Sequence, residues 1–298
     1  MISICIPIYN FNVATLVTEL SSQAKLLTVP SEIILIDDFS NESFRKINET
    51  ACLKETYVKL DQNIGRAAIR NLFLKHTTFP SLIFLDCDSI ITNKDFLSNY
   101  LNTATKFPNH LICGGREYPH QAPHKNKLLR WKYGFYKESQ SVEKRKQHPN
   151  RSFMTNNFLV SRKIFERTQF DTTLVEYGHE DTLFGLELKR KDINIIHIDN
   201  PVLNGDLENN AQYIKNTEKA IRNLIHILKS ENYDKQLIED VNLLKTYYKL
   251  FKLRKLITTS FNVLKPFIKA MIEKGIINLY VFNFYKLGFL AANMKRVE

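Results

Sequence analysis

Leu82-Ile83-Phe84-Leu85-Asp86-Cys87-Asp88-Ser89 is the stretch on which the reading of this sequence turns. Four apolar residues run without a polar interruption, and two acids follow, one residue apart. Continuous rather than alternating apolarity marks a strand covered on both faces, as in a parallel sheet between helices. An extended chain points alternate side chains the same way, so Asp86 and Asp88 leave that strand on one side. In an open α/β sheet ligands bind beyond the carboxyl ends of the strands, and an acid pair there is placed to do chemistry.

Two earlier runs share this character. Ile2–Ile8 ends in Pro7-Ile8-Tyr9-Asn10, and Glu32–Ile36 ends in Asp37-Asp38-Phe39-Ser40. Helix candidates lie between the runs, at Asn12 to Lys25, Glu42 to Glu49 and Arg66 to Lys75, with Asn12 and Asn41 as caps. Leu111–Cys113, Phe158–Val160 and Ile193–Ile198 are later strand candidates, and a helix spans Glu180 to Arg190. Strand, helix and strand in succession predict right-handed βαβ units and a doubly wound α/β sheet.

Two strands thus finish in acidic pairs on one rim. Carboxylates so placed repel one another unless cations or hydrogen-bond donors fill the gap. Hard oxygen ligands suit Mg²⁺ or Mn²⁺, which in turn hold a diphosphate. For Asp37 alone, the simpler role is a helix cap or turn. The segment Asn63-Ile64-Gly65-Arg66-Ala67-Ala68-Ile69-Arg70-Asn71 opens a helix at a glycine, with Arg66 and Arg70 one turn apart and suited to phosphate oxygens. It lacks the ending of a P-loop. Tyr177-Gly178-His179-Glu180-Asp181-Thr182 sets two acids at a helix start, where the dipole favours them and where either could serve as a general base.

Composition bounds the rest. The chain has 298 residues and a net charge of +11; with 44% hydrophobic residues and only 9 glycines it is not a disordered or collagen-like polymer. Four cysteines, Cys5, Cys52, Cys87 and Cys113, never fall at CxxC spacing, so a reduced cytoplasmic setting is expected, without zinc or disulfides. Met1 leads into an apolar run without a basic leader, and no uncharged stretch reaches spanning length. Residues 211–298 carry 16 Lys+Arg and 7 Asp+Glu, whereas residues 1–210 are nearly balanced. Turn residues at Gly205 to Asn210 therefore divide an α/β part, 1–210, from a basic helical extension, 211–298, whose main breaks are expected at Pro266 and Gly275.

Taken together, SICIPIYN, IILIDDFS, NIGRAAIRN, LIFLDCDS, NNFLVSRKIF and YGHEDTLFG resemble family 2 glycosyltransferases of the GT-A fold, over roughly residues 1–205. The resemblance implies a Rossmann-like mixed sheet flanked by helices, here with an α-helical C-terminal extension. It implies an inverting, metal-dependent transfer of a sugar from a nucleotide-sugar donor, of the UDP-linked kind, to a glycan or lipid-linked glycan of a bacterial surface polysaccharide. By the same resemblance Pro7 and Tyr9 pack the base, Asp38 bonds a uracil edge, and Arg66 contacts base or diphosphate. Asp86 and Asp88 match the DxD motif, with Asp88 the direct ligand of Mn²⁺ or Mg²⁺ and Asp86 facing ribose or a metal-bound water. Asp181 matches the catalytic base, supported by Glu180. Relatives often place a metal-binding His where this chain has Asn204, with His179 and His197 as substitutes, His197 more simply a strand histidine.

Specificity is expected in Arg116 to Arg151, where aromatic residues including the only tryptophan, Trp131, mingle with bases; the alternative is that Leu128, Leu129 and Trp131 pack a short helix. Asn156 and Asn157 suit the donor sugar, or a turn at the strand entry. The extension mixes Lys and Arg with aromatics and leucines, which fits a helix on the anionic cytoplasmic face of a membrane, or a subdomain packed on the catalytic part or on a second copy. Rival readings are a nucleotidyltransferase-type enzyme, a non-catalytic sugar-nucleotide binder and a nucleic-acid-binding module. The last has no motif in its favour, and the positive charge lies away from the rim.

Overall fold

The computed structural model describes residues 1–174 and 178–294. In chain order its elements are β1 (Ile2–Ile8), α1 (Ala14–Ala24), β2 (Ser31–Asp37), α2 (Glu42–Ala51), β3 (Thr56–Lys59), α3 (Gly65–His76), β4 (Ser81–Leu85), β5 (Ser89–Ile90), α4 (Phe96–Lys106), β6 (Leu111–Cys113) and β7 (Arg116–Glu117). Then come α5 (Leu128–Tyr133), α6 (Val142–Gln147), β8 (Asn157–Ser161), α7 (Arg162–Arg167), α8 (Glu180–Arg190), β9 (Ile195–His197) and β10 (Val202–Asn204). The helices α9 (Asn210–Ser230), α10 (Lys235–Asp240), α11 (Asn242–Lys249), α12 (Arg254–Glu273) and α13 (Leu279–Met294) complete the chain. Two compact units divide it: Met1–Tyr118 with Ser139–Val175 and Phe184–Asp206, and Pro119–Glu138 with Glu176–Leu183 and Leu207–Glu298.

The first unit is built on a seven-stranded sheet in the order β3-β2-β1-β4-β8-β6-β9. Alternate residues of each strand serve opposite faces: Cys5, Ile34, Ile36 and Phe84 join one core, and Ile4, Ile6, Leu35, Ile83 and Leu85 the other. Both faces are therefore dry, which is why the runs read as uninterrupted apolar stretches. On the first face Phe170 stacks on Phe184 at 4.2 Å and Phe84 on Phe158 at 5.0 Å.

The sheet is mixed rather than wholly parallel. β1, β2, β3 and β4 run parallel, but β8 lies antiparallel between β4 and β6. Periodicity cannot reveal strand direction, because both orientations bury the same side chains. The reversal matters for position: Leu85 pairs with Asn157, so the amino end of β8 stands where β4 delivers its acids.

A second, three-stranded sheet, β5-β10-β7, sits past the strand ends. Asn204 pairs with Ser89, and Val202 pairs with Arg116, so three distant segments are fastened together just after Asp88. Two glycines make this packing feasible. A Cβ on Gly114 would lie 2.4 Å from the Asn200 carbonyl oxygen and 2.5 Å from both Asn157 Nδ2 and Tyr100 Oη. Gly115, at φ +97°, lies so close to the Arg145 guanidinium that a Cβ would come within 2.8 Å of it.

The second unit is helical. Asn210, at the start of α9, accepts from Leu129 N–H at 2.9 Å and donates to the carbonyls of Lys125 and Ile272 at 3.0 and 2.9 Å. This one buried amide binds Pro119–Glu138 into the same unit as the C-terminal helices. Glu218 of α9 accepts from the Tyr285 hydroxyl and from Lys269 at 3.0 Å, and these donors hold its carboxyl below the usual range despite burial. Pro266 does not break α12, contrary to expectation. Pro266 and Asn262 are both exposed, so water can take the carbonyl that proline leaves unpaired. Gly275, at φ +81°, does end that helix, with Ile276 N–H on the Met271 carbonyl at 3.0 Å in a Schellman-type turn. Among the described residues no helix is long and apolar enough to cross a membrane, and all four cysteines are free thiols.

Gly114→Ala forces a methyl group against the Asn200 carbonyl and the buried Asn157 and Tyr100 side chains. The expected cost is about 3 kcal/mol, the upper end for overpacking; a chemical denaturation midpoint within error of the wild type would contradict this account of the glycine.

Candidate active site

At the rim of the first unit the acids divide by role. Asp37 is fully buried and spent on structure: it accepts from Ser40 N–H at 2.7 Å and the Tyr57 hydroxyl at 2.9 Å, with Arg45 at 3.4 Å. Asp38 accepts from the N–H groups of Ile64 and Gly65 at 2.7 and 3.0 Å, so it anchors the first turn of α3. Burial pushes its pKa up against the pull of those two donors. Each oxygen retains a lone pair for a further donor. Tyr9 and Phe39 are exposed rings at the ends of the adjacent strands β1 and β2. Pro7 pairs with Ile36, and the pairing of β1 with β4 ends at Cys5, before the proline that has no N–H to give.

Asp86 is held by two arginines. Arg70 donates to it at 2.7 Å from α3, and Arg116 stands 3.6 Å from its other oxygen. Burial raises the Asp86 pKa, but the charges of Arg70, Arg66 and Arg116 outweigh it and hold the carboxyl below its ordinary value. Arg70, read in sequence as reaching for phosphate, is instead buried against this carboxylate. Arg66 is exposed at the same helix start.

Asp88 has no such cation in contact. Its Oδ2 accepts from Asn204 Nδ2 at 3.1 Å, while burial and the neighbouring Asp86 charge raise its pKa. Asn204 Oδ1 is buried without a hydrogen-bond partner. A carboxylate with a raised pKa beside an orphaned amide oxygen forms a hard, oxygen-only donor set of the kind Mg²⁺ or Mn²⁺ takes. Among the described residues no three His, Cys, Asp or Glu side chains cluster as a closed metal site. The donors present fit a cation that keeps positions open for other oxygens.

The two asparagines opening β8 differ. Asn157 is spent on the fold: it accepts from the Tyr100 hydroxyl at 2.6 Å and donates to the carbonyls of Gly115 and Asn200, each at 2.9 Å. It therefore has no donor left for a sugar. Asn156 is just as buried, yet neither its Nδ2 nor its Oδ1 has a partner, and its carbonyl accepts from Asp86 N–H at 3.1 Å. An unsatisfied buried amide costs about 1–3 kcal/mol, and such groups are uncommon away from functional sites. Arg145 sets the neighbouring loop, donating to the carbonyls of Cys113 and Gly114 at 3.2 and 3.1 Å. It also reaches His197 Nδ1 at 3.0 Å, while His197 Nε2 lies 2.9 Å from the Pro149 carbonyl. His197 is thus a buried strand histidine with both nitrogens engaged, and burial lowers its pKa to about 4. It is no substitute metal ligand.

In the second unit Glu180 and Asp181 open α8. Gly178, at φ +98°, lies against Ala220 so closely that a Cβ would fall 2.6 Å from the alanine's own, and Asn223 of α9 donates to its carbonyl. The turn that presents the acids is thereby clamped to α9. His179, at φ +68°, has its Nδ1 3.1 Å from the Thr182 hydroxyl, and burial lowers its pKa to about 4, so it is neutral near pH 7. Tyr177 lies outside the described residues. Trp131, in the segment expected to set specificity, is buried; its Nε1 donates to the Pro119 carbonyl at 2.7 Å and its ring stacks on Phe135 at 5.3 Å. The ring packs a short helix instead.

Arg116 is a rim residue that sequence reading did not single out. It stood there only as the first residue of a basic segment, although the Gly114-Gly115 pair just before it signals a tightly placed backbone.

Comparison with known proteins gives the family and the fold. Residues 3–168 match Glycosyl transferase family 2, and the chain belongs to that family. Its fold is GT-A. A mannosyltransferase from Pyrobaculum calidifontis, solved with GDP-Man and Mn²⁺, superposes with a TM-score of 0.60 at 13% identity, covering 99% of this chain and 86% of its own. Residues 1–349 of TarS from S. aureus give 0.50 at 16% identity, covering 99% and 91%, and that protein has also been solved with UDP. Mannosyl-3-phosphoglycerate synthase from Rubrobacter xylanophilus gives 0.55 at 11% identity, covering 79% and 76%. No curated protein sequence matches the chain significantly.

The opposite environments of Asp86 and Asp88 predict opposite mutational signs. Asp88 has a raised pKa in the fold, so its ionisation costs stability as pH rises through the carboxylate range, and the cost is absent well below 3.8. Asp88→Asn, without metal, is expected to raise the melting temperature by about 2–4 °C at neutral pH, as roughly 1 kcal/mol would, with the gain vanishing in acid. Asp86→Asn breaks a buried pair and is expected to cost about 3 kcal/mol. Melting curves of both variants at pH 7 and pH 3.5 test this; a destabilised Asp88→Asn protein would contradict the assignment.

Proposed function

We propose that this glycosyltransferase moves a sugar from a nucleoside-diphosphate donor, UDP-linked by family habit, onto a hydroxyl of a glycan or lipid-linked glycan of a bacterial surface polysaccharide, with inversion at the anomeric carbon. The observation that carries this reading is the rim itself. Asp38 follows β2, and Asp86 and Asp88 follow β4, with β1 between them in the sheet; Arg116 stands by Asp86, and two buried amides, Asn156 and Asn204, lack partners among the described residues.

Tyr9 offers an exposed ring on which a base can stack, Pro7 lies two residues before it, and Asp38 has acceptor capacity for a base N–H. Arg66, exposed at the start of α3, is placed for the diphosphate, together with the N-terminal dipole of that helix. Asp86, kept ionised by its arginines, accepts from ribose hydroxyls. Asn156 lies next to it and takes the donor's polar groups into its unfilled amide. Mg²⁺ or Mn²⁺ would be held by Asp88 and Asn204, and when bound would neutralise charge on the departing diphosphate.

Asp181, at a helix start whose dipole favours the ionised form, is the general base. It takes the proton of the acceptor hydroxyl as that oxygen bonds to the anomeric carbon. The bond from that carbon to the diphosphate oxygen breaks on the opposite face, and the nucleoside diphosphate departs with the electron pair. A single displacement inverts the configuration. Glu180 supports the base by orienting the acceptor.

A thermal-shift screen of sugar nucleotides with Mn²⁺ and Mg²⁺ tests donor binding, since a ligand that binds only the native state raises its melting point. Asp88→Ala is expected to abolish the shift given by the best donor. Asp181→Asn is expected to keep that shift while lowering turnover about 10²–10⁴-fold, the usual worth of a general base. Full turnover by Asp181→Asn would remove the base assignment, and a screen with no responding donor would remove the enzyme reading.

A further inference from the structure

The basic extension reads in sequence either as a helix on an anionic membrane or as a packed subdomain, and the fold places part of it in a helical core. Leu244 and Tyr247 of α11 and Phe282, Tyr285, Phe289 and Leu290 of α13 belong to the helical core. Among the extension's exposed surfaces, one face of α12 stands out for its apolar residues. Its inner face buries Phe261, Ile268 and Ile272. On the opposite face Leu256, Val263 and Phe267 are 64%, 62% and 66% exposed, with Leu253 and Leu264 beside them. At 100° per residue Leu256, Val263 and Phe267 fall within one narrow stripe about 16 Å long, since eleven residues at roughly 1.5 Å each separate its ends. Just past the helix, Ile276 and Tyr280 are exposed as well. An apolar helix burying both faces is ordinary; one that leaves a continuous row of leucine, valine and phenylalanine in water marks a contact surface.

Charge identifies the contact. From Lys245 to Lys274 the chain has eight basic residues and one acid, Glu273. Lys265 and Lys269 turn inward to Glu218, but Lys249, Lys252, Lys255 and Lys274 are exposed and make no ion pair among the described residues. We propose that the outer face of α12 seats the protein on an anionic lipid bilayer, with Leu256, Val263 and Phe267 entering the acyl boundary and the lysines meeting lipid phosphates. The helix lies in the interface and does not span it. A second copy on the same stripe would set these lysines against their own equivalents across a two-fold axis, which repulsion disfavours. The apolar row also supplies what a purely electrostatic polyanion contact would leave in water. This inference stands apart from the catalytic assignment, because none of its residues belongs to the rim or to the start of α8.

The test is flotation of the full chain with phosphatidylcholine vesicles, with and without about 30 mol% phosphatidylglycerol, at about 0.1 M salt. At least tenfold stronger partitioning onto the anionic vesicles is expected. The double variant Val263→Ser, Phe267→Ser should lose at least tenfold of it, and Lys252→Glu, Lys255→Glu, Lys274→Glu should lose it almost wholly. Both variants alter exposed side chains, so each should melt as the wild type does. Absence of wild-type flotation, or equal flotation of the wild type and the serine variant, overturns the proposal. So does a dimer in light scattering that the serine variant dissociates, which would assign the stripe to a second copy.

Discussion

Two carboxylates leaving one strand end cannot both sit unpaired in a half-dry rim, and the molecule resolves this asymmetrically. Asp86 is given to Arg70 and Arg116, one from the helix after β3 and one from β7, and is held ionised. Among the described residues Asp88 has a neutral amide as its direct side-chain partner, and burial with the Asp86 charge leaves its pKa raised. Burial and the Asp86 charge outweigh the more distant Arg116 and Arg66 at Asp88, a setting suited to a cation rather than to another internal salt bridge. The arginines thus do not compete with a ligand for Asp88; they fix Asp86 so that Asp88 stays open.

Much of the surrounding architecture exists to keep that asymmetry in place. The small sheet β5-β10-β7 draws Arg116 and Asn204 to the acids from segments far apart in the chain. Gly114 and Gly115 let the chain pass close enough for Arg145 and Asn157 to grip its carbonyls, and this grip sets the direction of Arg116. Asp38 caps the helix that carries Arg66 and Arg70, so a rim acid also orients the cations of its neighbour. The helical unit follows similar economy, with Asn210 and Glu218 each tying together segments that share no sequence proximity.

The outer surface of α12 follows a different rule. Its inner face supplies the core that a small helical unit needs, and its outer face repeats apolar residues that contribute nothing to that core. The proposed seating on an anionic bilayer accounts for both features of this face, the apolar stripe and the lysines that flank it.

Sequence alone determined the strands and their ends. Uninterrupted runs such as Ile2–Ile8 and Leu82–Leu85 can only be buried on both faces, and the acids after them must then emerge on one rim, because side-chain alternation and chain direction are local properties. It also determined the start of α8 at Glu180 and the glycine stop at Gly275, since helix ends are set by adjacent residues. Tertiary structure decided everything that depends on which distant segments meet. The direction of β8, the pairing of Arg70 inward, the capture of Arg116, the satisfaction of Asn157 beside the unsatisfied Asn156, and the burial of Trp131 all arise from contacts between residues far apart in the chain. Periodicity records how a residue sits relative to its neighbours in sequence; whether a side chain's hydrogen bonds are already filled is decided only when the fold closes around it.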